Sequence, residues 1–82
     1  METKLKIWIL KKLHNRGYWS RRPMNLDDLT QGLPSHISKK LVKELADELV
    51  KEGLLIKKPG RLGFRYGLNS HKKTKIEELL EI

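Results

Sequence analysis

The sequence contains no cysteine, which excludes disulfide frameworks and thiolate metal sites. Acids are scarce beside bases. Ten Asp and Glu stand against eighteen Lys and Arg, a formal charge of +8. Long apolar runs are missing too. The longest near the start, Ile7 to Leu10, is far shorter than a signal-peptide core or a membrane span. The expectation is therefore a soluble, cytoplasmic protein with no membrane partner. The three histidines, His14, His36 and His71, are scattered without metal-ligand spacing, and no phosphate-loop signature is present. The paired acids Asp27-Asp28 and Glu77-Glu78 fall in helix first turns, where the helix dipole accounts for them. Nothing calls for catalysis, a metal or a cofactor, and none of these is expected.

What is present is regular periodicity in a chain of 82 residues, enough for one domain. Leu5, Trp8, Ile9 and Leu13 recur at helical spacing, with Ile7 and Leu10 widening the stripe, and Gly17 offers a left-handed stop. This predicts a first helix over about residues 3–16 with Trp8 buried. Pro23 bars a helix through Arg22, so residues 18–23 form an aromatic and basic connector. Asn25 is a suitable N-cap and Asp27 and Asp28 suit a first turn. Leu26, Leu29 and Leu33 give a short second helix its buried side. Gly32-Leu33-Pro34 breaks the chain. Ser35 can cap a third helix running to Glu52, with Ile37, Leu41, Leu45 and Leu49 as its stripe, flanked by Val42, Ala46 and Val50, and Gly53 as its end.

After Gly53 the period changes to two. Leu54 and Ile56 alternate on one strand, and Phe64, Tyr66 and Leu68 on the next. Pro59-Gly60 opens the connection and Gly63 closes it, giving a hairpin over about residues 54–69 with a tip of about five residues. Thr74-Lys75-Ile76-Glu77 fits a capping box for a last helix over about residues 74–82, with Ile76, Leu79, Leu80 and Ile82 apolar. The fold class is mainly α with a β-hairpin (α+β), in the order helix, helix, helix, hairpin, helix, as a single domain over residues 1–82.

Two helices joined by a short turn over about residues 25–52 and followed by a hairpin make the winged helix-turn-helix arrangement. The stretch from Ile37 to Leu55 resembles the recognition helix of winged helix-turn-helix proteins of the MarR and ArsR kind, where a leucine, three residues, a glycine and a leucine lead into the wing. Leu49, Gly53 and Leu54 occupy that step. The resemblance spans Leu26 to Leu68, about half the chain, and implies a DNA-binding module without a sensor domain. It also implies that the third helix enters the major groove while the wing follows the backbone or the minor groove. No segment is long enough for the extended dimerisation helices of the MarR group, and ArsR-type thiolate sensing is impossible without cysteine.

Where the charges fall agrees with that implication. The third helix begins with His36, Lys39, Lys40 and Lys43 and no acid, while Glu44, Asp47, Glu48 and Glu52 crowd its second half. A helix arranged for its own stability does the reverse, whereas phosphates favour cations at a helix start. Ser35 and Ser38 could add contacts. The other reading of the same pattern is a solvated face with pairs such as Lys40–Glu44 and Lys43–Asp47. The hairpin carries Lys57, Lys58, Arg61 and Arg65, and residues 54–69 contain no acid. These cations suit a phosphate backbone or minor groove, and they equally suit protection of an edge strand. Arg21 and Arg22, beside Tyr18 and Trp19, form a third basic group.

The nucleic-acid-binding candidates are thus Ser35, His36, Ser38, Lys39, Lys40, Lys43, Lys57, Lys58, Arg61, Arg65, Arg21 and Arg22. The expected function is a duplex-DNA-binding transcriptional regulator. The alternatives are a structured-RNA-binding or ribosome-associated protein, and a protein-interaction domain using the last helix's apolar face. A homodimer through the first or last helix is a further partner expectation.

Overall fold

A computed structural model describes residues 2–33, 36–61 and 63–82. Helix α1 (Glu2–Asn15) buries Leu5, Ile9, Leu10 and Leu13. Trp8 is only half-buried, contrary to expectation. It packs against the core from one side, and the Lys12 ammonium lies 5.0 Å from its ring centroid. Leu10 takes the interior position instead, because the helix is covered on the side of Leu5, Ile9 and Leu13. The stop at Gly17 (φ +72°) is as read: the N–H of Gly17 donates to the His14 carbonyl and that of Tyr18 to the Leu13 carbonyl, a Schellman ending.

Strand β1 (Met24–Asn25) and the single-turn helix α2 (Leu26–Leu29) follow. The strand was not anticipated; two residues are too few to show a period. Asn25 stands at the N-cap position with extended backbone, but its side chain makes no capping hydrogen bond. The carbonyls ending α2 are held from outside. The Lys12 ammonium donates to those of Asp28 and Leu29, 3.0 Å each, and to that of Gln31. Burial, with Arg16 nearby, lowers its pKa against the opposing pull of Asp28.

Helix α3 (Lys39–Lys51) is shorter than its sequence suggested. Ser38, not Ser35, is the N-cap: its hydroxyl accepts from the Leu41 N–H at 3.1 Å. His36 and Ile37 belong to the preceding turn, and Pro34 and Ser35 lie outside the described residues. The fully buried side is Val42, Leu45, Ala46 and Leu49, with Ile37, Leu41 and Val50 packed at its margin. Gly53 (φ +83°) ends the helix by a second Schellman motif, with Gly53 N–H on the Val50 carbonyl and Leu54 N–H on that of Leu49.

Strands β2 (Leu55–Gly60) and β3 (Gly63–Leu68) pair antiparallel through Gly60↔Gly63, so the tip is two residues rather than five. The sheet order is β1-β3-β2, which leaves β2 on an edge where Pro59 needs no ladder partner. Register puts Leu55, Leu68, Lys57, Tyr66 and Met24 on the core face, and Ile56, Lys58, Arg65 and Asn25 on the outer one. The expected alternation starts one residue late. Leu54 is buried as the residue that closes the helix ending, so the inward strand set begins at Leu55 and leaves Ile56 half-exposed. Phe64, expected to face inward, lies beyond the core and is 46% exposed.

A 3-10 turn (Ser70–Lys72) leads into helix α4 (Lys73–Leu80). Thr74 lies inside that helix, so the expected capping box does not form. Asn69 organises the junction, accepting from the His71 N–H and donating to the Gly53 carbonyl at 2.8 Å. Ile76 is buried, while Leu79 and Ile82 are exposed. Among the described residues no helix is long and apolar enough to cross a membrane.

Candidate nucleic-acid interface

The exposed start of α3 presents Ser38, Lys39, Lys40 and Lys43, with His36 exposed just before it. No acid lies in the first turn, so the cations sit against the helix dipole as the sequence indicated. Two of them have carboxylate partners. Lys39 pairs with Asp27 of α2, and Lys43 pairs with Asp47 one turn along at 3.2 Å.

Asp47 is the junction between α3 and the hairpin. One of its oxygens accepts from the Tyr66 hydroxyl at 2.7 Å and from the Lys57 ammonium at 3.0 Å, and the other from Lys43. Burial works against the charged carboxylate, but these three donors outweigh it and hold its pKa below the ordinary value. The Tyr66 hydroxyl is pushed well above its usual value by burial and by the carboxylate it donates to. Lys57 therefore points to the α3 side, its ammonium 4.1 Å from the Phe64 ring centroid. It stands apart from the other hairpin cations.

Those others share the outer sheet face. Asn25, Arg65 and Lys58 are in register across the strands; Arg65 Nε donates to Asn25 Oδ1 at 2.9 Å, and Lys58 donates to the Ser20 carbonyl at 2.9 Å. The connector lies over this face. A Cβ on Gly67 would stand 2.7 Å from the Trp19 carbonyl oxygen, so only glycine admits that approach. Arg21 and Arg22 ride on the connector, exposed, with the Arg22 guanidinium 5.3 Å from the Tyr18 ring centroid. Arg61 is exposed at the hairpin tip, and Ser35 is outside the described residues.

The structure thus divides the sequence candidates between two surfaces. His36, Ser38, Lys39, Lys40, Lys43 and Lys57 gather around the start of α3; Arg21, Arg22, Lys58 and Arg65 gather on the outer sheet face. Sequence reasoning missed Asp47, Tyr66, Asn25 and Lys12 as organisers. A tyrosine at an inward strand position is a usable signal, since its buried hydroxyl requires a partner.

Helices α2 and α3, separated by residues 30–38 rather than by the short turn expected, and followed by a hairpin that packs one face on the helices, make a winged-helix-like fold. The crystal structure of the YusO protein from Bacillus subtilis is similar to it, with a TM-score of 0.71 at 16% identity over 94% of this chain and 52% of YusO. At that identity the likeness shows the fold, and the chain spans about half the length of YusO. No protein-family model matches the sequence, and no curated protein matches it.

Proposed function

We propose that this protein binds duplex DNA as a transcriptional regulator, with α3 in the major groove and the hairpin along the backbone or in the minor groove. The observation that carries this is the exposed run Lys39, Lys40 and Lys43 in the opening turns of α3. Each cation there costs a few tenths of a kcal/mol against the helix dipole, a cost that phosphate contact repays. The winged-helix architecture supports the same reading, since it leaves this face of α3 uncovered.

The test is duplex binding against salt concentration for the protein and for Lys39→Ala/Lys40→Ala. Each lost phosphate contact should flatten the slope of log K on log salt by about 0.9. An unchanged slope would remove α3 from the interface. A structured RNA at matched salt forms the second arm, and tighter binding to it would make RNA the ligand.

A further inference from the structure

The start of α3 is not where the least compensated positive charge lies. Lys39, Lys43 and Lys57 each hold a carboxylate of Asp27 or Asp47, which leaves Lys40 as the α3 lysine of the candidate set with no ion pair among the described residues. On the outer sheet face, Arg21, Arg22, Lys58 and Arg65 form no ion pair among the described residues; the partners of Lys58 and Arg65 are a neutral carbonyl and an amide oxygen. Neither residues 15–26 nor residues 54–69, which build this face, contain a single acid.

The face is also held in place. Lys58 and Arg65 are cross-strand partners, and the Lys58 ammonium reaches the connector that carries Arg21 and Arg22. A turn closed by the Arg22 N–H on the Trp19 carbonyl at 2.8 Å fixes that connector, seated against Gly67. The exposed large apolar side chains stand elsewhere: Phe64 on the opposite sheet face and Leu79 and Ile82 at the C-terminal helix. Arginines without apolar anchors suit a sugar–phosphate backbone better than a bilayer.

The structure assigns to the outer sheet face, around Arg21, Arg22, Lys58 and Arg65, a second phosphate-binding surface that takes a nucleic-acid backbone independently of α3. Because α3 packs on the other face of the sheet, the outer face is a separate surface, and one molecule with both occupied joins two duplex segments. The inference deepens the nucleic-acid reading but does not need α3 to be the groove-binding element.

The experiment mixes donor-labelled and acceptor-labelled short duplexes of mixed sequence and reads energy transfer between them, with anisotropy reporting binding to one duplex. The protein should bring the two labels together, and excess protein should separate them again. Arg21→Gln/Arg22→Gln/Lys58→Gln/Arg65→Gln should lose the transfer yet still bind one duplex. Each removed contact should lower affinity about three- to fourfold more at roughly 50 mM salt than at roughly 200 mM, as a slope of about 0.9 per contact requires. Arg21→Gln/Arg22→Gln, which touches no hydrogen bond of the sheet, should show about half the change and guards against misfolding of the larger variant.

If Lys39→Ala/Lys40→Ala binds like the unaltered protein while the sheet variant loses binding, the α3 assignment fails and this surface stands. Transfer that persists in the sheet variant, or a salt slope it does not alter, overturns the proposal. So does an unaltered protein that needs Lys39 and Lys40 to bind one duplex yet does not join two, or one whose sheet face is needed only for vesicles of anionic phospholipid.

Discussion

Removing the Asp47 carboxylate should expose how firmly the hairpin is tied to α3. Tyr66 is fully buried, and its hydroxyl donates to Asp47 at 2.7 Å. In Asp47→Ala that hydroxyl loses its partner, which costs about 1–3 kcal/mol. The two ion pairs with Lys43 and Lys57 add only a few tenths each, since the carboxylate is 30% exposed and screened. Alanine returns about half a kcal/mol through helix propensity, so the net loss should be about 1–3 kcal/mol. Tyr66→Phe should cost about 1 kcal/mol or slightly more, because Asp47 keeps both ammonium partners. In the double variant the propensity gain recurs unchanged and cancels in the cycle. What remains is a coupling of about 1 kcal/mol between Asp47 and Tyr66. Urea denaturation of the four proteins measures it, and a coupling indistinguishable from zero would refute the account of Asp47 as a junction.

The same carboxylate sets an acid limb to stability. Its folded pKa lies below the ordinary value, so its contribution is present above about pH 4 and is lost as pH falls through the folded value. The gap in melting temperature between the protein and Asp47→Asn should therefore narrow below about pH 4; a gap that widens there contradicts the assignment. At the outer face, Gly67→Ala places a methyl 2.7 Å from the Trp19 carbonyl oxygen and 3.4 Å from Pro23 Cα. Backbone cannot yield as a side chain tip can, so destabilisation of about 1–3 kcal/mol is expected, and a melting temperature equal to that of the unaltered protein would show that the connector does not rest there.

The helix endings were legible because left-handed glycine is a local requirement: Gly17 and Gly53 act where the apolar period stops, and the backbone places both at positive φ. The start of α3 was misplaced because Ser35 and Ser38 are both competent caps one turn apart, and local chemistry does not choose between them. The hairpin phase slipped at Leu54 for a similar reason. That residue is apolar on account of the helix ending, and counting it as the first strand position inverts the faces. The candidate site was legible as a sum of charges and not as pairs. Lys43–Asp47 follows from helical spacing, but Lys39–Asp27 and Lys57–Asp47 join different elements. No period announces contacts of that kind. The division of the hairpin cations between two faces needed the register Lys57↔Tyr66 and Lys58↔Arg65.

That division changes what each cation can contribute to binding a polyanion. At α3 a phosphate must displace Asp27 or Asp47 from Lys39, Lys43 or Lys57. The exchange is cheap, because an exposed ion pair is worth about 0–1 kcal/mol, but the released carboxylate remains nearby and repels any phosphate that arrives out of place. Such a surface gains less from bare charge and more from correct docking, which is the arrangement that favours discrimination between partners. The outer sheet face has no such counterweight, so phosphate neutralises its cations outright. On the proposed reading, the salt-dependent and sequence-independent affinity resides mainly with Arg21, Arg22, Lys58 and Arg65, while dependence on duplex sequence resides with α3. Charge removal at the sheet should therefore weaken binding to all duplexes alike and flatten the salt slope by more than Lys39→Ala/Lys40→Ala does.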